Sequence, residues 1–348
     1  MRRQVDYLII GQGLAGSILS RELIKQGCSI QLIDNQKENA SQIAAGLINP
    51  ITGMRLVKNK ELDILLPSAK QTYLQLGQFF QQDFYLEKPM LRVLRNTQEL
   101  QKFKQRIQDS AYLDYLEPNL RPAPDSIIAP LGIIQQKQTG YLLTQKLLAC
   151  LKSYFQKKNC YQAEQLDYQD LTINDNIQWQ DITAKKIIFC EGYQAINNPW
   201  FKYLPFQLAK GEILTLTTAQ TLLPELLNFG HWLIPLNKHQ FRTGATFDNI
   251  NLNTLTTQKG KNTLLKALTR VMPALNSATI DTQQANIRPT TLDKMPFIGQ
   301  HPEHKNIMIF NGFGAKGSLQ IPYYSKQFVQ HLLTNAPIAP AVNCQRYR

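Results

Sequence analysis

Gly11, Gly13 and Gly16 stand at G-x-G-x-x-G spacing directly behind an apolar run, and the next apolar run closes on Asp34. Glycines so spaced can cradle a diphosphate. Gly11 permits a tight turn, Gly13 lets the backbone approach a pyrophosphate, and Gly16 lets a helix pack close to a strand. Asp34 can accept hydrogen bonds from both ribose hydroxyls, whereas a 2′-phosphate would be repelled there, so the pattern disfavours NADP. Strand, helix and strand must hold these residues. Residues 5–10 read as the first strand, 17–26 as a helix capped by left-handed Gly27, and 29–33 as the second strand. The helix would turn its first N–H groups and its positive end toward the phosphates.

The following residues, Ser41-Gln42-Ile43-Ala44-Ala45-Gly46-Leu47-Ile48-Asn49-Pro50, are small where an NAD enzyme would run on into a third strand. Small side chains let backbone lie against a broad ring system. This stretch resembles the flavin-contacting loop of the D-amino-acid oxidase, glycine oxidase and sarcosine oxidase superfamily. Four later segments follow in that family's order and extend the resemblance over almost the whole chain. They are residues 185–192, ending in Gly192; residues 204–214; His231-Trp232-Leu233-Ile234-Pro235 with Thr243-Gly244-Ala245-Thr246; and the pair 287–299 and 311–317.

The resemblance implies non-covalent FAD, since no Cys stands where covalent members carry theirs. Its contacts would come from Gly11, Gly13, Leu14, Ala15 and Gly16 on the phosphates, and from Asp34 and Asn35 on the ribose. Ser41, Ala44, Ala45 and Gly46 would meet the flavin, Gly192 the pyrophosphate, and Gly312, Gly314, Ala315, Lys316 and Gly317 the ring edge. A helix over 318–333 would point its positive end at the N1/C2 edge, with Lys316 adding a full charge. The Arg matching Arg288 pairs with the substrate carboxylate in amino-acid oxidases of this family, a task suited to a guanidinium fork. The residues themselves also allow Arg288 to pair with Asp293 or to cap its own loop. Trp232 would wall the pocket or serve as core. Where several amino-acid oxidases carry an Arg or His before the last helix, this chain has Gly314-Ala315-Lys316, which leaves a second carboxylate anchor open.

The expected fold class is α/β: a doubly wound, glutathione-reductase-like FAD lobe of Rossmann type, with a second lobe built on an antiparallel sheet. The FAD-binding domain would be discontinuous over 1–60, 140–205 and 286–348, and the substrate domain would comprise 61–139 and 206–285. Helices are expected over 62–80, 97–110 and 255–271, strands over 90–95, 212–217, 233–236 and 240–245, and a surface tail over 335–348. At 348 residues, 43% hydrophobic and 18% charged, the chain reads as a packed globular enzyme and excludes a disordered or fibrous protein. Five scattered cysteines without C-x-x-C spacing point to free thiols in a reducing, cytoplasmic setting and to no metal site. The basic start Met1-Arg2-Arg3-Gln4 leads into a strand rather than a leader, and no apolar segment reaches membrane-spanning length.

The leading expectation is oxidation of the C–N bond of a primary or secondary amine, such as an amino acid, by hydride transfer to flavin N5. A net charge of +13 attracts polyanions, although the basic residues are dispersed. The C-terminal segments also resemble the FAD domain of the bifunctional enzyme that matures 5-carboxymethylaminomethyl-uridine at the tRNA wobble position. A tRNA-bound amine is therefore the alternative substrate. A flavin-binding protein without turnover is the third reading.

Overall fold

Two large sheets organise the computed structural model, which describes residues 3–347. The first has eight strands in the order Tyr161–Ala163, Ile30–Asp34, Arg3–Ile10, Ile182–Phe189, Ile177–Trp179 and Thr172–Ile173, with Ile307–Asn311 joining Ile182–Phe189 and Phe297–Gln300 joining Ile307–Asn311. Four parallel pairings link Tyr161–Ala163, Ile30–Asp34, Arg3–Ile10, Ile182–Phe189 and Ile307–Asn311. Their interiors are near-continuous apolar runs, as burial on both faces requires. On one face Leu14, Ile18, Leu19 and Leu23 of the helix Leu14–Lys25 meet Tyr324 and Phe328 of the helix Gly317–Thr334 in a single core.

The second sheet has seven strands in the order Thr279–Arg288, Ala209–Thr217, Gln240–Gly244, Trp232–Pro235, Leu226–Asn228, Met90–Val93 and Ile133–Gln136. Its pairings are antiparallel except one: Leu226–Asn228 runs parallel to Met90–Val93, so the expected antiparallel sheet is in fact mixed. That pairing arises because Met90–Val93 arrives from an earlier part of the chain rather than through a hairpin. The outer face of this sheet is apolar. Leu214, Leu216, Leu233 and Phe241 bury against Leu264 and Leu268 of the helix Gln258–Val271.

Element positions follow the expected pattern with instructive shifts. The helix expected at 17–26 begins at Leu14, because Gly16 is helical and packs inside rather than preceding the helix. The helix expected over 97–110 stops at Arg106, and a separate turn, Ser110–Leu113, starts on the Asp109 cap. Leu62–Phe80 is one helix despite Pro67, and the last helix runs through Pro322. The expected surface tail is a docked strap instead. Ile298 N–H donates to Val342 O at 2.9 Å, Val342 and Cys344 are buried, and a short turn covers Cys344–Tyr347. Apolar Val342 and Cys344 supply the burial that a mobile tail would lack. Met1, Arg2 and Arg348 lie outside the described residues. All five cysteines are free, and among the described residues no helix is long and apolar enough to cross a membrane.

Candidate functional site

Four of the motif residues collect at one edge because parallel strands end together. Gly11 follows Ile10, Asp34 closes its own strand, Gly192 lies just past Phe189, and Gly312 follows Asn311. Open parallel sheets take ligands in the crevice outside these carboxyl ends. Here the backbone packs too tightly for side chains. A Cβ on Gly16 would lie 1.9 Å from Gly11 O, and one on Gly11, at φ +104°, would lie 2.6 Å from Cys190 O. The crossing of strand, loop and helix is therefore possible only with glycine.

Gly13 sits at the N-cap of the first helix with no side-chain cap bond, leaving N–H groups directed out of its first turn. Leu14 N–H donates to Ser41 Oγ at 3.0 Å, which draws Ser41 to that helix end; Ala15 follows in the same turn. Asp34 accepts from Gln12 N–H at 2.7 Å and Gln36 N–H at 2.8 Å, one bond on each oxygen, so further lone pairs stay available for hydroxyl donors. Asn35 forms a surface turn, donating to Gln165 Oε1 at 2.8 Å. Gly192 O accepts from Asn311 Nδ2 at 2.9 Å and so ties two strand ends together.

Glu191, one residue before Gly192, is enclosed by Tyr168 and Asn198. Tyr168 Oη donates to it at 2.7 Å and Asn198 Nδ2 at 2.9 Å. Burial pushes its carboxyl up to about 7, against the lowering pull of those two donors.

The second sheet faces the loop 38–47. Residues directly opposite one another share a face and alternate residues return to it. The register sets Arg288 against Ala209, Asn286 against Gly211, Gln284 against Ile213, Ile213 against Gly244, Gly244 against Trp232, and Arg242 against Thr215. Arg288, Asn286, Gln284, Trp232 and Arg242 thus project on one side. The loop meets them there. Asn286 Nδ2 donates to Glu38 O at 3.1 Å, Gln284 Nε2 to Glu38 Oε1 at 2.9 Å, and Arg242 to Ala44 O at 3.2 Å and to Ile43 O. Half-buried Trp232 packs in one apolar cluster with Ala45 and Leu47. Gly46 lies against the short strand Gly140–Leu142, its carbonyl accepting from Leu142 N–H at 2.9 Å.

Arg288 ends its strand with the guanidinium laid across Gly211, where a Cβ would come within 1.9 Å of Nη2. It donates to Thr246 O at 3.2 Å and reaches Lys210 O at 3.5 Å. No carboxylate among the described residues forms an ion pair with it, and burial draws its proton affinity down. The alternative pairing with Asp293 does not occur: Asp293 pairs instead with Arg346, at 2.8 Å. Behind Arg288, Thr291 presses on Gly312, whose added Cβ would meet Thr291 Cγ2 at 2.7 Å, and Gly314 N–H donates to Pro289 O at 3.2 Å. Ala315 and Lys316 are exposed on the rim, and Gly317 opens the last helix.

Arg242, Glu191 and Arg346 escaped the sequence reading. Arg242 and Glu191 each lie within two residues of a quoted glycine, which was the available signal; Arg346 had none. Two small cavities lie elsewhere, one of about 40 Å³ beside Glu61 and Tyr324 and one lined by Leu91, Ile127 and Leu222.

A backbone too close for side chains, a free helix N-terminus and a carboxylate with spare acceptor sites at one strand edge fit the diphosphate and ribose of FAD. The glycine loop 312–317 and the small residues 44–46 leave backbone to meet its ring. Comparison with known proteins agrees. A glycine oxidase of Bacillus subtilis (strain 168) is 26% identical over 147 residues, 41% of this chain and 39% of that protein. The tRNA 5-methylaminomethyl-2-thiouridine biosynthesis bifunctional protein MnmC of Leptospira interrogans (strain Fiocruz L1-130) is 20% identical over 385 residues, 95% of this chain and 57% of that protein. The match thus spans little more than a third of the first relative and just over half of the second. The crystal structure of glycine oxidase from Bacillus cereus ATCC 14579 superposes with a TM-score of 0.81 at 18% identity, covering 96% of each chain, and so shares the fold. The FAD dependent oxidoreductase family model matches residues 6–330, and the chain belongs to that family.

Proposed function

We propose that this protein oxidises the C–N bond of a carboxylated primary or secondary amine, with Arg288 as the carboxylate anchor. One observation carries the reading: Arg288 is a half-buried guanidinium bonded only to backbone carbonyls, on the sheet face that covers the loop 38–47. Even partial withdrawal of a cation from water without a counter-charge is unfavourable, and a bidentate carboxylate would relieve that cost. FAD, when bound, supplies the two-electron acceptor.

The chain's own residues orient and enclose. Arg288 would hold the carboxylate, Trp232 would wall the side where the amine's α-carbon lies, and the second sheet would exclude water. Such placement can supply much of the acceleration without a dedicated base. The α-carbon and nitrogen together lose two electrons and two protons, leaving an imine that water hydrolyses. We assign 1–60, 140–205 and 286–348 to cofactor binding and 61–139 and 206–285 to substrate binding, and place the enzyme in the reducing cytoplasm, where five free thiols are stable.

A second reading has its own support. The likeness to MnmC runs over 95% of the chain, and a net charge of +13 suits a polyanion, so an amine carried on tRNA is a rival substrate. Anaerobic mixing of FAD-loaded protein with glycine, sarcosine, D-amino acids, proline and hypomodified tRNA separates the two. Flavin bleaching by a free amine supports the first reading. Bleaching by tRNA alone, steeply weakened by salt, replaces it with the second.

A further inference from the structure

The loop 43–46 has no polar side chain with which to hold itself. It is fixed instead from the second sheet, where half-buried Arg242 donates through Nη1 to Ala44 O at 3.2 Å and through Nη2 to Ile43 O. The planar fork of a guanidinium suits two neighbouring acceptors, which a lysine ammonium cannot hold in the same fixed geometry. The arginine ion pairs among the described residues involve Arg92, Arg95 and Arg346, and Arg242 enters none of them. Thr144 Oγ1 adds a longer bond to Ala44 O, at 3.4 Å. Four residues beyond Arg242, Thr246 O accepts from Arg288 at 3.2 Å. One short segment thus touches the loop at one end and Arg288 at the other.

The clamp decides which way the next amide points. In a trans peptide the carbonyl oxygen and the following N–H lie on opposite sides, so an Ala44 O turned toward Arg242 sends Ala45 N–H away from it. The neighbouring groups are already engaged: Ala44 N–H donates to Ala40 O at 2.9 Å, and Gly46 O accepts from Leu142 N–H at 2.9 Å. Ala45 N–H has no acceptor among the described residues. We propose that Arg242 is a positioning residue that holds the 44–45 peptide so that Ala45 N–H is offered to an acceptor atom of the flavin ring. This rests on the reading that residues 44–46 meet the ring, and it is independent of Arg288 as carboxylate anchor. A donor fixed there favours the reduced flavin, whose ring acceptors carry more negative charge than those of the oxidised form.

The test is the two-electron reduction potential of FAD bound to the full-length protein, measured without substrate, beside the affinity for oxidised FAD in a fluorescence titration. Arg242→Met should weaken binding of reduced relative to oxidised FAD about tenfold, a potential lower by about 30 mV. Arg242→Lys should give a similar drop, since it keeps the charge and loses the fork. A normal potential in Arg242→Lys beside a lowered one in Arg242→Met would show a through-space charge and overturn the proposal. Unchanged potentials in both would overturn it too, because a merely structural clamp weakens both redox forms equally. Ala45→Pro removes the N–H itself and suits the extended Ala44, at φ −48° and ψ 146°. It should lower the potential as much as Arg242→Met, and the two together by little more than either alone; additive losses refute the coupling. Should Arg242→Met or Ala45→Pro fail to load FAD, Arg242→Lys decides: a lowered potential supports the fork and a normal one refutes it. No amine enters these measurements, so failure of amines to bleach the flavin would remove the proposed function and leave this result standing.

Discussion

Gly211→Ala tests the placement of Arg288 without touching Arg288 itself. The new Cβ would lie 1.9 Å from Nη2, 2.5 Å from Cζ and 2.9 Å from Nη1. Non-bonded atoms need about 3.4 Å, so the guanidinium must retreat by about 1.5 Å. Its bond to Thr246 O, now 3.2 Å, cannot survive that movement. The backbone of the strand can accept alanine, because Gly211 has no left-handed φ and the obstacle is the far end of a flexible side chain. Loss of the bond costs stability by about 1 to 3 kcal/mol, partly offset by the roughly 0.5–1 kcal/mol gained on replacing strand glycine. The protein should fold and hold FAD. A displacement beyond 1 Å at a substrate-positioning group costs about a hundredfold in rate. The assay is kcat/KM for whichever carboxylated amine bleaches the flavin, measured beside the FAD spectrum and Tm. In an Arg288→Ala background, Gly211→Ala should add less than about a twofold further loss, because the two act through one group. Activity near normal in the single variant, or a second hundredfold loss in the double, would refute the assignment.

Three further outcomes are expected. Arg288→Ala should retain bound FAD while losing about 2 to 5 kcal/mol of transition-state stabilisation toward carboxylated amines only, read as kcat/KM against a decarboxylated analogue. Gly16→Ala should abolish FAD binding in a fluorescence titration, because its Cβ would meet backbone, Gly11 O at 1.9 Å, which cannot step aside. Glu191 sets a pH dependence: its folded carboxyl, at about 7, lies above its unfolded value of 4.5, so the folded state holds the extra proton between these values. Stability should then fall as pH rises from about 4.5 to 7 and stay lower above, by on the order of 3 kcal/mol, and Glu191→Gln should flatten that slope in denaturant titrations.

The first forty-six residues were legible because glycine spacing reports backbone geometry directly. Gly11 and Gly16 carry their constraint in their own identity, and Asp34 stands at a strand end that periodicity locates. The Arg288 segment could be placed in order, but its choice of partner could not, since Asp293 and Arg346 are joined only by the docking of the strap. Arg242 shows a different limit. Its role depends on a register that carries Gln240–Gly244 against the loop 38–47, a contact nearly two hundred residues apart in the chain. The tail was misjudged because Pro337 and Pro340 suggest a loose segment, while burial of Val342 and Cys344 is decided by the surface they meet.

The interleaved strand order also dictates when the protein can be finished. Arg3–Ile10 needs Ile182–Phe189 on one side, and that strand in turn needs Ile307–Asn311. The Leu14–Lys25 helix waits for Tyr324 and Phe328 to cover its apolar stripe. During synthesis the nucleotide unit must therefore emerge with an unpaired edge and an uncovered helix, and remain so until some three hundred residues have left the ribosome. Folding dominated by such distant pairings is slow and prone to aggregation. Expression at lowered temperature with added FAD, which rewards only the completed groove, should raise the recovered yield more than any change to the surface.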